Sequence, residues 1–228
     1  MSEKIEILNI KINRDKLDSI ISESISMAKE KRKHYICVPN AYSTVIANRD
    51  KDFREIINKA AFTIPDGMPL VWYSKTFKKS LEARISGFEL FNAYSRQMDK
   101  KKMSCFFFGG KDELVAEAII KKFKDEFKNI IVSGHYVPPF LNEFKEAEKQ
   151  KIQKAINSCR PDVVWVGMSA PKQEKWISNN IEDLNIGMAC GIGAVFDFYS
   201  GEIRRAPGWM QKTGLEWLYR VLADPKRL

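Results

Sequence analysis

Short apolar runs alternate along most of this chain with longer amphipathic segments, and no other feature limits the fold as strongly. Tyr35–Val38, Ala61–Ile64, Met103–Phe108, Ile130–Val132, Val163–Gly167 and Ile186–Gly191 read as buried strands. Around them Asp15–Lys31, Pro69–Phe77, Phe88–Met98, Asp112–Phe127, Asn142–Ser158, Pro171–Ile181 and Gly208–Leu222 read as helices. Strands that are apolar throughout need cover on both faces, and strands that return through a helix lie parallel to one another. The predicted architecture is α/β: a parallel sheet with helices on both faces, in a single compact domain spanning 1–228. No internal repeat, low-complexity segment or linker interrupts it, and Pro138-Pro139 marks a loop.

Composition narrows the chemistry. At 228 residues, 44% hydrophobic and 29% charged, the chain can bury a sizeable core and is not disordered. A net charge of +9 calls for an anionic partner, whether nucleic acid, an acidic membrane surface or a pyrophosphate. Cys37, Cys105, Cys159 and Cys190 are scattered, three of them within apolar runs, so buried reduced thiols and a cytoplasmic setting are expected rather than a zinc site or disulfides. The N-terminus lacks the basic-then-apolar pattern of a signal peptide, and no run approaches the ~18 apolar residues of a membrane span. Any membrane contact is then peripheral.

In a parallel α/β sheet ligands bind beyond the carboxyl ends of the strands, so the polar residues after each run are the site candidates. Asn40, in Pro39-Asn40-Ala41, and Asp66, in Pro65-Asp66-Gly67, follow the first two runs. Asp66 can accept a proton from a sugar hydroxyl or cap the helix starting near Pro69, and Asn40 reads equally as a cap. Gly109-Gly110-Lys111 is either a tight turn or a phosphate approach, without the Ser or Thr that a P-loop lysine needs behind it. Lys172 and Gln173 open a helix after Val163–Gly167 and can meet a phosphate or a sugar hydroxyl. Gly187, Gly191 and Gly193 flank the last run, too late in the chain for a dinucleotide fingerprint. Asp50-Lys51-Asp52 has metal-site spacing but lies in a helical stretch, and His34 and His135 share no ligand spacing, so no metal is expected. Arg204, Arg205, Lys212, Arg220, Lys226 and Arg227 interleave with Trp209, Met210, Trp217, Leu218 and Tyr219, a mixture suited to a membrane interface, to a pyrophosphate or to a packed helix with solvated charges.

The ordered set Pro39-Asn40-Ala41, Pro65-Asp66-Gly67, Arg84-Ile85-Ser86-Gly87, Phe108-Gly109-Gly110, Pro161-Asp162 with Val166-Gly167, Pro171-Lys172-Gln173-Glu174, Phe196-Asp197 with Ser200-Gly201, Arg205-Ala206-Pro207 and Leu215-Glu216-Trp217-Leu218-Tyr219-Arg220 resembles the WecG/TagA/CpsF family of glycosyltransferases. The resemblance implies a Rossmann-like core and a metal-independent, inverting transferase with no cofactor. The donor would be a UDP-sugar, with N-acetylmannosamine first among the hexoses. The acceptor would be an undecaprenyl-diphosphate-linked sugar at the inner face of the membrane, in teichoic acid or polysaccharide synthesis. Carried onto this chain, Asp66 is the general base, with Asn40, Arg84 and Gln173 in the cleft. Gly109, Gly110, Lys172, Gly191, Arg205 and Arg220 are the candidate donor-binding residues.

Two departures stand out. Val38 occupies a position where many relatives carry threonine, and the chain stops at Pro225-Lys226-Arg227-Leu228 where relatives commonly continue with a tail linked to membrane attachment. A chain ending there is expected to turn over weakly in solution. The segment from about residue 204 is expected to meet an anionic membrane surface, with no nucleic acid involved and self-association left open. The competing readings are a nucleotide-dependent oxidoreductase and a basic nucleotide- or nucleic-acid-binding module without transferase activity.

Overall fold

The computed structural model describes residues 3–77, 81–141, 144–216 and 218–219. An antiparallel hairpin of β1 (Lys4–Ile7) and β2 (Ile10–Asn13) opens the chain, followed by α1 (Leu17–Lys29). The strands β3 (His34–Cys37), β4 (Phe62–Thr63), β5 (Ser104–Gly109), β6 (Ile131–Tyr136), β7 (Val163–Gly167) and β8 (Met188–Gly191) form a six-stranded sheet in the order β4-β3-β8-β7-β5-β6, and every pair is parallel. The connecting helices are α2 (Ala41–Arg49), α3 (Lys51–Lys59), α4 (Met68–Thr76), α5 (Gly87–Lys100), α6 (Glu113–Glu126), α7 (Glu146–Cys159), α8 (Lys172–Asn180), α9 (Val195–Ser200) and α10 (Gly208–Thr213). The expected α/β class and parallel sheet are thus found.

Within the sheet, alternate side chains serve opposite layers, as a period of two requires. Cys105, Phe107, Val163 and Trp165 pack on one face with Ile25, Phe91, Tyr94, Phe123 and Phe196. Phe106, Phe108, Val164 and Val166 pack on the other with Ile152, Ile156, Trp176 and Ile177. A third cluster joins the hairpin (Ile7, Ile10, Ile12) to Ala47 of α2, Phe53 of α3 and Leu70 and Val71 of α4. The hairpin also finishes the sheet edge, because the Thr63 N–H on edge strand β4 donates to Asn13 Oδ1 at 2.7 Å.

Several elements depart from the sequence expectation. The hairpin turn places Leu8 (φ 47°) and Asn9 (φ 67°) in the left-handed region without the Asn-Gly signature such turns usually carry, so its pattern went unrecognised. The α2 and α3 helices fill a stretch noted only as helical, and α9 is too short for periodicity to reveal. The helix expected over Gly208–Leu222 stops at Gly214, whose φ of 77° is a left-handed C-cap. The β6 strand runs on past Val132 through Ser133-Gly134-His135-Tyr136, because an edge strand needs no continuous apolar run.

At the amino edge of the sheet Asp162 ties three elements together. Its carboxylate accepts Ser104 N–H (2.8 Å) and Ser104 Oγ (3.0 Å) from β5 and pairs with Lys31 Nζ (2.6 Å) beyond α1. Its carbonyl accepts the N–H groups of Gly187 and Met188 ahead of β8. Burial pushes this carboxyl up, but the hydrogen bonds from Lys31 and Ser104 outweigh burial and hold it below its ordinary value. A depressed folded-state value stabilises the fold above the unfolded value of about 3.9, and that share is lost as the pH falls through the folded one. Asp162→Ala is expected to lower unfolding stability by about 1–3 kcal/mol at pH 7, with the gap from wild type closing below about pH 4, measured by urea denaturation across pH. An unchanged midpoint at pH 7 would remove this anchor.

Candidate active site

A cavity of about 450 Å³ opens at the carboxyl edge of the sheet, where the exits of β3, β4, β7 and β8 converge. Backbone hydrogen bonds lace these exits: Asp66 N–H donates to Pro39 O (2.9 Å) and Ile85 N–H to Pro65 O (2.9 Å). Among the residues predicted from sequence, Asn40, Asp66, Gln173 and Arg205 line this cavity together.

Asn40 caps α2 through a reciprocal box. Its Oδ1 accepts Ser43 N–H (3.0 Å), while Ser43 Oγ accepts Asn40 N–H (2.8 Å). The cap and the cleft wall are therefore the same residue. Asp66 does not cap α4, whose N-cap is Gly67, with no side-chain cap bond. It stands half-buried on the cleft wall instead.

A second box forms at α5, where Ser86 Oγ accepts Glu89 N–H (3.2 Å) and Glu89 Oε2 accepts Ser86 N–H (2.7 Å). Ser86, Gly87 and Phe88 all line the cleft. The first amides of a helix have no intrahelical acceptor, so this 14-residue helix turns a donor-rich, positive end toward the cavity. The Phe88 ring lies 4.6 Å beneath the Arg205 guanidinium. Arg205 Nε is buried without a hydrogen-bond partner, its distance of 3.7 Å to Glu216 Oε1 being too long for one. Arg205 is thus ion-paired with Glu216 yet keeps a buried Nε–H free of hydrogen bonds, and such a donor on a cavity wall is suited to an incoming anion.

Gln173 is 3% exposed and fully engaged: Oε1 accepts Gly193 N–H (2.9 Å) and Nε2 donates to Glu174 Oε1 (2.8 Å). It thereby holds the loop that leaves β8. Burial raises the Glu174 carboxyl above its ordinary value, and its Oε2 has no hydrogen-bond partner. Gly191 is the close-approach position, since a Cβ there would meet the Gln173 carboxamide at 3.2 Å.

Other predicted residues lie outside the cleft wall. Arg84 sits beside it, donating through Nε to Gln211 O (3.3 Å) and pairing with Glu89 (3.5 Å). Gly109 (φ 115°) lets the end of β5 lie close against β7, as its Cβ would meet Gly167 O at 2.4 Å, and Gly110 N–H donates to that same carbonyl. Lys172 turns away over the Phe144 ring, bonding the Leu141 carbonyl, and burial lowers its ammonium from the usual value. Asp50 caps α3 through Phe53 N–H (3.0 Å) and pairs with Lys175 (2.9 Å). His135 pairs with Glu113 at 2.8 Å. Arg220, Trp217, Lys226, Arg227 and the side chain of Lys212 lie outside the described residues.

Sequence reasoning did not single out Ser86, Phe88, Tyr42 or Glu216 as cleft residues. The Ser86-x-x-Glu89 spacing is a capping-box signature and would have marked the start of α5. Val38 also lines the cleft, so an apolar side chain stands where many relatives place threonine. Gly191→Ala is expected to displace the Gln173 amide and weaken binding of any nucleotide-sugar in the cleft several-fold while the melting temperature changes little, as read by calorimetric titration and thermal unfolding. Unaltered binding would separate the Gln173 latch from ligand recognition.

A family model described as "Glycosyl transferase WecG/TagA/CpsF family" matches residues 5–228. Among curated proteins, the N-acetylglucosaminyldiphosphoundecaprenol N-acetyl-beta-D-mannosaminyltransferase of Bacillus subtilis (strain 168) is 30% identical over 203 residues, covering 86% of this chain and 77% of that protein. The protein of the same name from Bacillus spizizenii is 30% identical over 221 residues, covering 93% and 83%. Its counterpart from Staphylococcus aureus (strain NCTC 8325) is 29% identical over 194 residues, covering 85% and 74%. These matches give no support to a binding module without transferase activity. With the cleft at the carboxyl edge of a parallel sheet and the family match running over nearly its whole length, the chain belongs to the WecG/TagA/CpsF family of glycosyltransferases.

Proposed function

We propose that this glycosyltransferase moves N-acetylmannosamine, or a closely related hexose, from a UDP-sugar onto an undecaprenyl-diphosphate-linked sugar at the inner face of the membrane. The observation that carries the reading is the presence, on the walls of one cavity, of the Asp66 carboxylate and the Arg205 guanidinium, whose buried Nε makes no hydrogen bond. The relatives named for N-acetylmannosaminyl transfer to N-acetylglucosaminyldiphosphoundecaprenol support the choice of donor sugar and acceptor.

In this reading Asp66 accepts the proton of the acceptor hydroxyl as its oxygen attacks the anomeric carbon. The bond from that carbon to the UDP oxygen breaks in the same displacement, which inverts the centre. The leaving diphosphate gains negative charge, met by Arg205 and the first-turn amides of α5 at Gly87 and Phe88. Arg205 is held for this by Phe88, and Gln173 by Glu174 and Gly193. The Asn40 carboxamide, on the cleft wall, binds a sugar hydroxyl in this reading. The reading assigns charge stabilisation to these groups with no divalent ion.

UDP release from UDP-N-acetylmannosamine, UDP-N-acetylglucosamine and UDP-glucose, with a short-chain lipid-diphosphate-linked N-acetylglucosamine acceptor, tests it. Acceptor-dependent turnover of one donor is expected, undiminished by EDTA. Asp66→Asn should lower kcat by about 10²–10⁴-fold with KM changed little. Arg205→Ala should cost about 10²-fold or more in turnover. Loss of activity in EDTA that magnesium restores would overturn the metal-free assignment, and an undiminished Asp66→Asn variant would remove the base.

A further inference from the structure

We propose that α2, α4 and α10 form the surface that rests on an anionic lipid bilayer, with the cleft opening between them. Two independent features coincide on these helices. Of the large apolar side chains exposed among the described residues, Tyr42 and Val45 lie on α2, Trp72 on α4, Phe77 at the end of α4 and Trp209 on α10. The same three helices contain no Asp or Glu, while every other helix of the described residues carries at least one. Their charged residues are Arg49, Lys75 and Lys212, all basic.

The three helices are neighbours. The α2 and α4 helices both pack against the hairpin, so that Ala47, Leu70 and Val71 belong to one buried cluster. The α10 helix abuts α4, since a Cβ at Gly214 would meet Met68 Cβ at 2.6 Å and Trp72 Cζ2 at 3.0 Å. Tyr42 belongs to both the surface and the cleft wall, so the patch is continuous with the cavity mouth. Asp50, the C-cap of α2, is paired with Lys175, and Asp66 and Glu216 line the cavity.

Aromatic side chains beside lysine and arginine, on helices without Asp or Glu, match the headgroup layer of an anionic membrane: rings enter the interface while the cations meet phosphates. Scattered exposed apolar residues need no explanation, but a contiguous apolar patch at a cavity mouth does. The orientation serves the acceptor chemistry, because a diphosphate whose lipid stays in the bilayer is presented at headgroup depth, the level at which this face holds the cleft mouth. The inference rests on the proposed lipid-linked acceptor for its purpose, but its test does not require turnover.

Co-sedimentation of the full chain with phosphatidylcholine vesicles, with and without phosphatidylglycerol, provides that test. The wild type is expected to bind the anionic vesicles, more weakly as salt is raised, and to leave the neutral ones largely unbound. Val45→Glu/Trp72→Glu and, separately, Arg49→Glu/Lys75→Glu should each weaken binding by about tenfold or more. Phe140→Glu, which changes a still more exposed apolar residue on the loop after β6, should bind as the wild type does. Matched thermal melts and retained turnover of a water-soluble short-chain acceptor would show that the double variants fold and that the transferase reading stands apart. Wild-type vesicle binding by both double variants, or a loss confined to Phe140→Glu, would overturn the surface. So would variants that bind vesicles normally but change the oligomeric state in size-exclusion chromatography, which would mark the face as a contact between copies of this chain.

Discussion

The pairing of β3 with β8, Ile36 opposite Cys190, is the contact on which the cleft depends. It sets the first strand of the parallel sheet beside the last, so the turn carrying Asn40 faces the loop carrying Gly193. Closing so long a stretch of chain carries an entropic cost that grows only slowly with length. Burial offsets it: Ile36, Cys190, Val164, Trp165 and Val166 lose essentially all contact with water between two helical layers. Covering both faces leaves the sheet edges as the places where polar groups remain useful.

The two edges of the sheet do different work. At the amino edge Asp162 uses its carboxylate and carbonyl to tie α1, β5, β7 and β8, and none of its described partners lies on the cleft. At the carboxyl edge helices begin, and their orphan amides and positive dipole ends point inward. The boxes at Asn40–Ser43 and Ser86–Glu89 satisfy some of those amides and shape the wall at the same time. Glu174 is the costly member, a buried carboxylate with one unpaired oxygen whose described contact is the Gln173 amide that holds the loop.

The sequence made the strand positions legible because parallel strands buried on both faces are apolar without interruption, as in Met103–Phe108 and Val163–Gly167. It was less informative where that signal fails. The hairpin has four-residue strands and a Leu8-Asn9 turn, α9 spans six residues, and Gly214 divides what reads as one helix. Residues at strand exits were legible as a class, but their tasks were not. Asn40 and Asp66 look alike in sequence, each a polar residue after a proline, yet one caps a helix and the other does not. Gly109 and Gly191 both sit at strand ends, and the first permits the close approach of β5 to Gly167 of β7 while the second admits the Gln173 side chain.

The sequence by itself determined the α/β class, the parallel sheet and the family, because periodicity and short ordered motifs are local properties of the chain. Only the tertiary structure decided which exits share a cavity, that Arg205 stands over Phe88 with an Nε that makes no hydrogen bond, and that Lys172 turns away. It also decided that three acid-free helices from separate parts of the chain become neighbours. The reason is physical: strand order and side-chain direction depend on packing between segments distant in sequence, and local pattern carries no record of which distant partner a segment meets.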